Sequence, residues 1–139
     1  MDTSTPILLV EDDPLDVENL QRALALLKIG NPVRTARNGK EALDLLRTRP
    51  ADGSFVPGLI LLDLGMPIMG GLELLEVLKA DARLRTIPAV VLSGSNRDAE
   101  RRQAYELGAA GYVVKPIRFE DFVAAVGQVE RYWALCELP

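Results

Sequence analysis

Leu59-Ile60-Leu61-Leu62-Asp63 is four aliphatic residues followed by an acid. Four consecutive aliphatics leave no polar face, so an element built from them is covered on both sides. The run is too short for a helix. It lies between a loop at 50–58 and a glycine- and proline-rich turn at 64–71. A buried strand ending at Asp63 follows, and strands that read as solid apolar runs belong to sheets with helices on both faces.

The rest of the chain repeats this unit. Pro6-Ile7-Leu8-Leu9-Val10 is a second apolar strand that runs into acids. Asp13-Pro14 then reads as a helix start, with Asp13 as cap and Pro14 in the first helical position. Val17, Leu20, Ala23, Leu24 and Leu27 recur at helical spacing, and Gly30-Asn31-Pro32 is the expected stop. A short strand is expected at 33–36. Asn38 to Glu41 has the form of a capping box, ahead of a helix with Ala42, Leu43, Leu45 and Leu46 on its apolar face. Leu72, Leu75 and Leu78 mark a helix after Asp63. A strand at 87–92, a helix at 98–107 stopped by Gly108, a strand at 112–114 and a long final helix through Phe119, Phe122, Val126 and Trp133 complete the pattern. Five strands alternating with five helices predict an α/β fold with a doubly wound parallel sheet. No repeat or linker divides the 139 residues, so 1–139 reads as one domain with an extended C-terminal helix or tail at about 130–139.

Composition removes several classes of function. There is no histidine, which excludes Ser-His-Asp catalysis, histidine metal sites and phosphohistidine on this chain. The net charge of −4 argues against direct nucleic-acid binding. No apolar run is long enough for a membrane span, and the first residues lack the pattern of a secretory leader. The lone Cys136 suits a reducing compartment. A cytoplasmic protein that binds neither nucleic acid nor membrane is expected.

In a parallel doubly wound sheet, ligands bind at the carboxyl ends of the strands. Glu11, Asp12 and Asp13 follow the first strand, Asp63 the third, Ser93 the fourth and Lys115 the fifth. Each has an ordinary structural explanation as well: a turn or helix cap for Asp13, Asp63 and Ser93, a solvated loop for Glu11 and Asp12, a surface charge for Lys115. Together they are acids, a hydroxyl and an ammonium brought to one sheet edge. Clustered carboxylates repel, and a hard divalent cation with oxygen ligands relieves that repulsion. An aspartate held there can act as a nucleophile toward phosphorus, with cations neutralising the transferred group.

Val10-Glu11-Asp12-Asp13, Leu61-Leu62-Asp63-Leu64-Gly65-Met66-Pro67-Ile68-Met69-Gly70-Gly71, Val91-Leu92-Ser93-Gly94 and Gly111-Tyr112-Val113-Val114-Lys115-Pro116 resemble the receiver domain of two-component response regulators. The resemblance covers almost the whole chain. It implies a flavodoxin-like sheet of order 2-1-3-4-5 and a phosphoacceptor switch rather than a turnover enzyme. By position, Asp63 matches the phosphoacceptor. Asp12 matches the direct metal-binding acid, Glu11 its partner, and Gly65 the residue whose carbonyl completes the Mg²⁺ (or Mn²⁺) site. Ser93 matches the switch hydroxyl, Lys115 the phosphate-binding lysine, Tyr112 the aromatic that turns inward on activation, and Pro116 a proline often preceded by a cis peptide. The implied partner is a sensor histidine kinase. The tail and the segment 81–88 resemble single-domain regulators paired with phytochrome-type kinases, and by that resemblance no output domain is expected after the last helix.

Two departures from the family pattern stand out. Gly70-Gly71 replaces the usual Asp-Gly, so a looser turn is expected. Gly65 has no side chain where relatives have one near the phosphoryl group. Either it serves a left-handed backbone or it opens the site to water and shortens the life of the phosphoaspartate. Tyr132, Trp133, Leu135 and Leu138 are apolar for a terminus and either pack on their own domain or on a second copy. A homodimer through the fourth helix, fifth strand, fifth helix and tail is expected. An aspartyl-phosphate hydrolase would use a similar Asp, but it places a second acid two residues on, where this chain has Gly65. No Gly-x-Gly-x-x-Gly or Walker-type loop supports a nucleotide-binding protein. A degenerate receiver that takes no phosphate is opposed by the intact set Asp12, Asp63, Ser93 and Lys115.

Overall fold

The computed structural model describes residues 3–48 and 55–136. Strands β1 (Ile7–Val10), β2 (Val33–Ala36), β3 (Leu59–Leu62), β4 (Ala89–Ser93) and β5 (Gly111–Val114) alternate with helices α1 (Pro14–Leu26), α2 (Gly39–Arg47), α3 (Gly71–Ala80), α4 (Asp98–Glu106) and α5 (Phe119–Leu135). The strands form one parallel sheet in the order β2-β1-β3-β4-β5, as expected.

The period of two along each strand divides the core. Leu8, Val10, Ile60, Leu62 and Val91 point to one face and pack against α2, α3 and α4. Ile7, Leu9, Leu59, Leu61, Val90 and Leu92 point to the other, where Leu20, Ala23 and Leu24 of α1 meet Val126 and Trp133 of α5. Trp133 therefore belongs to the domain's own core. Tyr132 and Leu135 stay exposed, and Leu138 lies outside the described residues.

The predicted caps form. Asp13 accepts a 2.9 Å hydrogen bond from the Leu15 N–H, with Pro14 next in the chain. Asn38 accepts one of 2.9 Å from Glu41 N–H. The boundaries of α1 and β4 move. α1 reverses at Lys28, whose φ is 57°, two residues before Gly30. The Ile29 N–H reaches back to Leu24 O, closing the helix end with hydrogen bonds in place of glycine freedom. β4 begins at Ala89 because Ile87 N–H is committed to Leu84 O and Pro88 has no N–H to give. Its last residue is Ser93, which is thus part of the sheet.

The turn after β3 is tied down rather than loose. Gly71 N–H donates to Leu64 O at 3.0 Å, Gly39 N–H to Met69 O at 2.9 Å and Met69 N–H to Pro67 O at 2.7 Å. The last bond closes a three-residue turn around Ile68, whose φ of 68° is rare for a β-branched residue. Gly71 allows a close approach: a Cβ there would sit 2.3 Å from Asp63 O and 2.9 Å from Leu64 Cα, both backbone atoms.

Candidate functional site

Hydrogen bonds from the sheet extend one residue past three strands and carry the site with them. Glu11 N–H donates to Ala36 O, Asp63 N–H to Val10 O and Lys115 N–H to Ser93 O, at 2.9, 3.0 and 2.7 Å. These bonds fix the backbones of Glu11, Asp63 and Lys115 along one edge. Asp12 and Asp13 continue from Glu11 into α1. The peptide bond before Pro116 is trans, as is every other among the described residues, which corrects the cis form implied by the family resemblance. Trans is the ordinary preference of an X-Pro bond.

Carboxylate oxygens of Glu11, Asp12 and Asp63 all lie within 4.8 Å of one another. Glu11 is buried, Asp63 partly buried and Asp12 exposed. Lys115 Nζ donates to Glu11 Oε2 at 2.7 Å and to Asp16 Oδ2 at 3.0 Å, and stands 3.9 Å from Asp63 Oδ1. Burial raises the pKa of Asp63 above the usual aspartate value. Lys115 and the Leu64 N–H oppose that, and the charges of Asp12 and Asp16 add to it. Glu11 is also raised, first by burial; its bond to Lys115 pulls the other way and the charge of Asp63 reinforces the rise. Burial alone would lower Lys115. The bonds to Glu11 and Asp16, with the charges of Glu11 and Asp63, outweigh it and hold the ammonium above the ordinary lysine value. One ammonium thus faces several acids, a donor set of hard oxygens that a divalent cation fits.

Ser93 ends β4 almost fully buried, and its Oγ accepts from Ser95 N–H at 3.1 Å. Tyr112 OH donates to Ser95 O at 2.9 Å. Ser95 thus links the two expected switch residues, a role the sequence did not reveal. An open depression runs from Asp63, Leu64 and Gly65 across Ser93 to Asn96 and Arg97. Gly65 has nothing within 4 Å of where a Cβ would stand, and among the described glycines only Gly108 has positive φ. The left-handed explanation of Gly65 is thereby removed and the open-site explanation remains. Asp16 is the other residue that strand-end reasoning missed. It lies in the first turn of α1, where an acid is ordinarily read as complementing the helix dipole.

Among the described residues, no helix is long and apolar enough to cross a membrane. The family model of the response regulator receiver domain matches residues 7–127. The probable methanogenesis regulatory protein FilR2 of Methanothrix harundinacea is 39% identical over 127 residues, covering 91% of this chain and 82% of that protein. The response regulator Rcp1 of Synechocystis is 34% identical over 136 residues, covering 95% of this chain and 92% of that one. A solved structure of the phosphorylated cyanobacterial phytochrome response regulator RcpA superposes with a TM-score of 0.89 at 35% identity, over 98% of this chain and 99% of that one. The Mn²⁺-bound form of Rcp1 gives 0.87 at 33% identity, over 97% and 99%. The bacteriophytochrome response regulator RtBRR gives 0.76 at 42% identity, over 98% and 84%. With the sheet order, the acidic cluster and the family match in agreement, the chain belongs to the response regulator receiver domain family of two-component signalling.

Proposed function

We propose that Asp63 accepts a phosphoryl group from the phosphohistidine of a partner sensor kinase, and that the domain then changes the surface it presents. The observation that carries this reading is Asp63 itself, partly buried, within 4.8 Å of Glu11 and Asp12 and 3.9 Å from the Lys115 ammonium. An Asp63 carboxylate oxygen attacks phosphorus, the P–N bond to the donor imidazole breaks, and the imidazole leaves with the electron pair. Glu11, Asp12, Asp63 and the Gly65 carbonyl would hold Mg²⁺ or Mn²⁺, which supplies charge neutralisation at the phosphoryl oxygens. Lys115 offers a further N–H to those oxygens. Ser93 gives its hydroxyl to the phosphoryl group, releasing Ser95 N–H, and Tyr112 follows through its bond to Ser95. The switch is a shift between two conformations of the β4–α4 connection.

The domain acts as a cytoplasmic switch and assists only its own phosphorylation and dephosphorylation. Leu15, Ile68 and Ile117 are exposed apolar residues that follow β1, β3 and β5. They suit an apolar helical surface on the donor kinase, and the likeness to phytochrome and bacteriophytochrome regulators favours a kinase of that type. Exposed Tyr105, Val114, Tyr132 and Leu135 on α4, β5 and α5 support a homodimer through that face. Light scattering tests it: a monomer at tens of micromolar, with and without a phosphoryl donor, would rule it out. The open space beside Gly65 admits water to the phosphoaspartate, so Gly65→Asn should slow its hydrolysis several-fold. An unchanged rate would remove that role.

Borohydride reduction of the acyl phosphate after incubation with acetyl phosphate and Mg²⁺ locates the acceptor. Homoserine at position 63 in the peptide map is expected; modification at another acid would refute the assignment.

A further inference from the structure

The Lys115 ammonium has three N–H donors and three acids around it. Contacts at 2.7 Å to Glu11 and 3.0 Å to Asp16 are hydrogen bonds. The 3.9 Å separation from Asp63 is an ion pair too long for one. Asp16 lies outside the group of carboxylates that could share a metal, which comprises Glu11, Asp12 and Asp63. It reaches Lys115 from α1, across a small depression that the two residues line with Asn19, Pro116 and Phe119. The Lys115 side chain retains 16% of its exposure and that of Asp16 35%, so their contact is only partly screened by water.

From this geometry we infer that Asp16 is a positioning residue acting through Lys115: it holds the ammonium back from Asp63 and limits how strongly the lysine meets an incoming phosphoryl group. The inference rests on Asp63 being the acceptor. Removing the Asp16 charge weakens its hold on a second N–H, for which the phosphoryl oxygens then compete. It also takes one negative charge away from the approach of an anionic donor. Both effects strengthen donor binding, and both leave the Asp63 side chain in place. A carboxylate that serves only the dipole of α1 would change helix stability and leave donor binding alone.

The test is the initial rate of phosphorylation by acetyl phosphate in saturating Mg²⁺, followed by intact mass, for wild type, Asp16→Asn and Asp16→Glu. In Asp16→Asn the KM for acetyl phosphate should fall about fivefold, the scale of one unit charge at a partly screened site, with the maximal rate within about twofold of wild type. Asp16→Glu should return KM toward the wild-type value. An unchanged or higher KM in Asp16→Asn, with wild type still phosphorylated, overturns the role of Asp16 alone. No uptake by wild type overturns the acceptor reading, and the role of Asp16 falls with it.

Discussion

Without a divalent cation, replacing the phosphoacceptor should make the protein more stable. Asp63 lies within 4.8 Å of two other carboxylates and 3.9 Å from one ammonium. Two repulsions at that distance outweigh one attraction by about 0.7 kcal/mol at an effective dielectric of roughly 80, and by about 3 kcal/mol at roughly 20. Asp12 is exposed, which favours the lower part of that range. An amide in place of the Asp63 carboxylate also gives up the charge-assisted bond accepted from Leu64 N–H. A net gain of about 1 kcal/mol for Asp63→Asn is expected, or about 3 °C in Tm for a chain of this size. Thermal melts in chelator should show the variant above the wild type. In millimolar Mg²⁺ the order should reverse, because binding stabilises the folded state in proportion to the logarithm of ligand over Kd and the variant has lost a ligand charge. A variant less stable than wild type in chelator, or equal stabilisation of both by Mg²⁺, would refute the reasoning that burial and the neighbouring acids hold the Asp63 charge at a cost.

The same acids give a pH signature. Glu11 and Asp63 have raised pKa values in the folded protein, so the fold binds their protons more tightly than the unfolded chain does. The wild type's deficit against Asp63→Asn in chelator should therefore shrink as pH falls through the folded pKa of Asp63 and vanish below about pH 4; a deficit that widens with acidification contradicts the signs. Lys115 runs the other way: its raised value contributes stability that is complete below 10.5 and lost as pH climbs through the folded value, so Lys115→Met should cost less at high pH in alkaline urea titrations. Gly71→Ala places a methyl 2.3 Å from Asp63 O and should destabilise by about 2 kcal/mol or more while displacing Asp63. Gly65→Ala meets nothing within 4 Å and should stay within about 0.5 kcal/mol of wild type in urea melts.

The sheet was legible because its three central strands are nearly pure aliphatic runs and each ends at a residue with chemistry. Strand ends in a parallel sheet share an edge, so the sequence alone groups Glu11, Asp12, Asp63, Ser93 and Lys115. Asp16 could not, because it arrives from the next element: its carboxylate meets Lys115 through the angle at which α1 leaves β1, which sequence spacing does not report. Ser95 was hidden for a related reason, since it contributes backbone N–H and C=O groups that every residue type carries. Glycine was a partial guide. Gly108, expected to stop α4, is left-handed at φ 93°, but α1 reverses at Lys28 ahead of Gly30 and the turn after β3 reverses at Ile68, because local hydrogen bonds at Ile29 and Met69 offset a conformational cost that propensity alone assigns to glycine.

The central claim is that Asp63 takes the phosphoryl group with help from a divalent cation. Intact mass after incubation with acetyl phosphate, with Mg²⁺ or with chelator, for wild type and Asp63→Asn, tests it most directly. The expected result is a gain of one phosphoryl group in wild type with Mg²⁺ and in none of the other three samples. No gain in wild type, or an equal gain in Asp63→Asn, would contradict it.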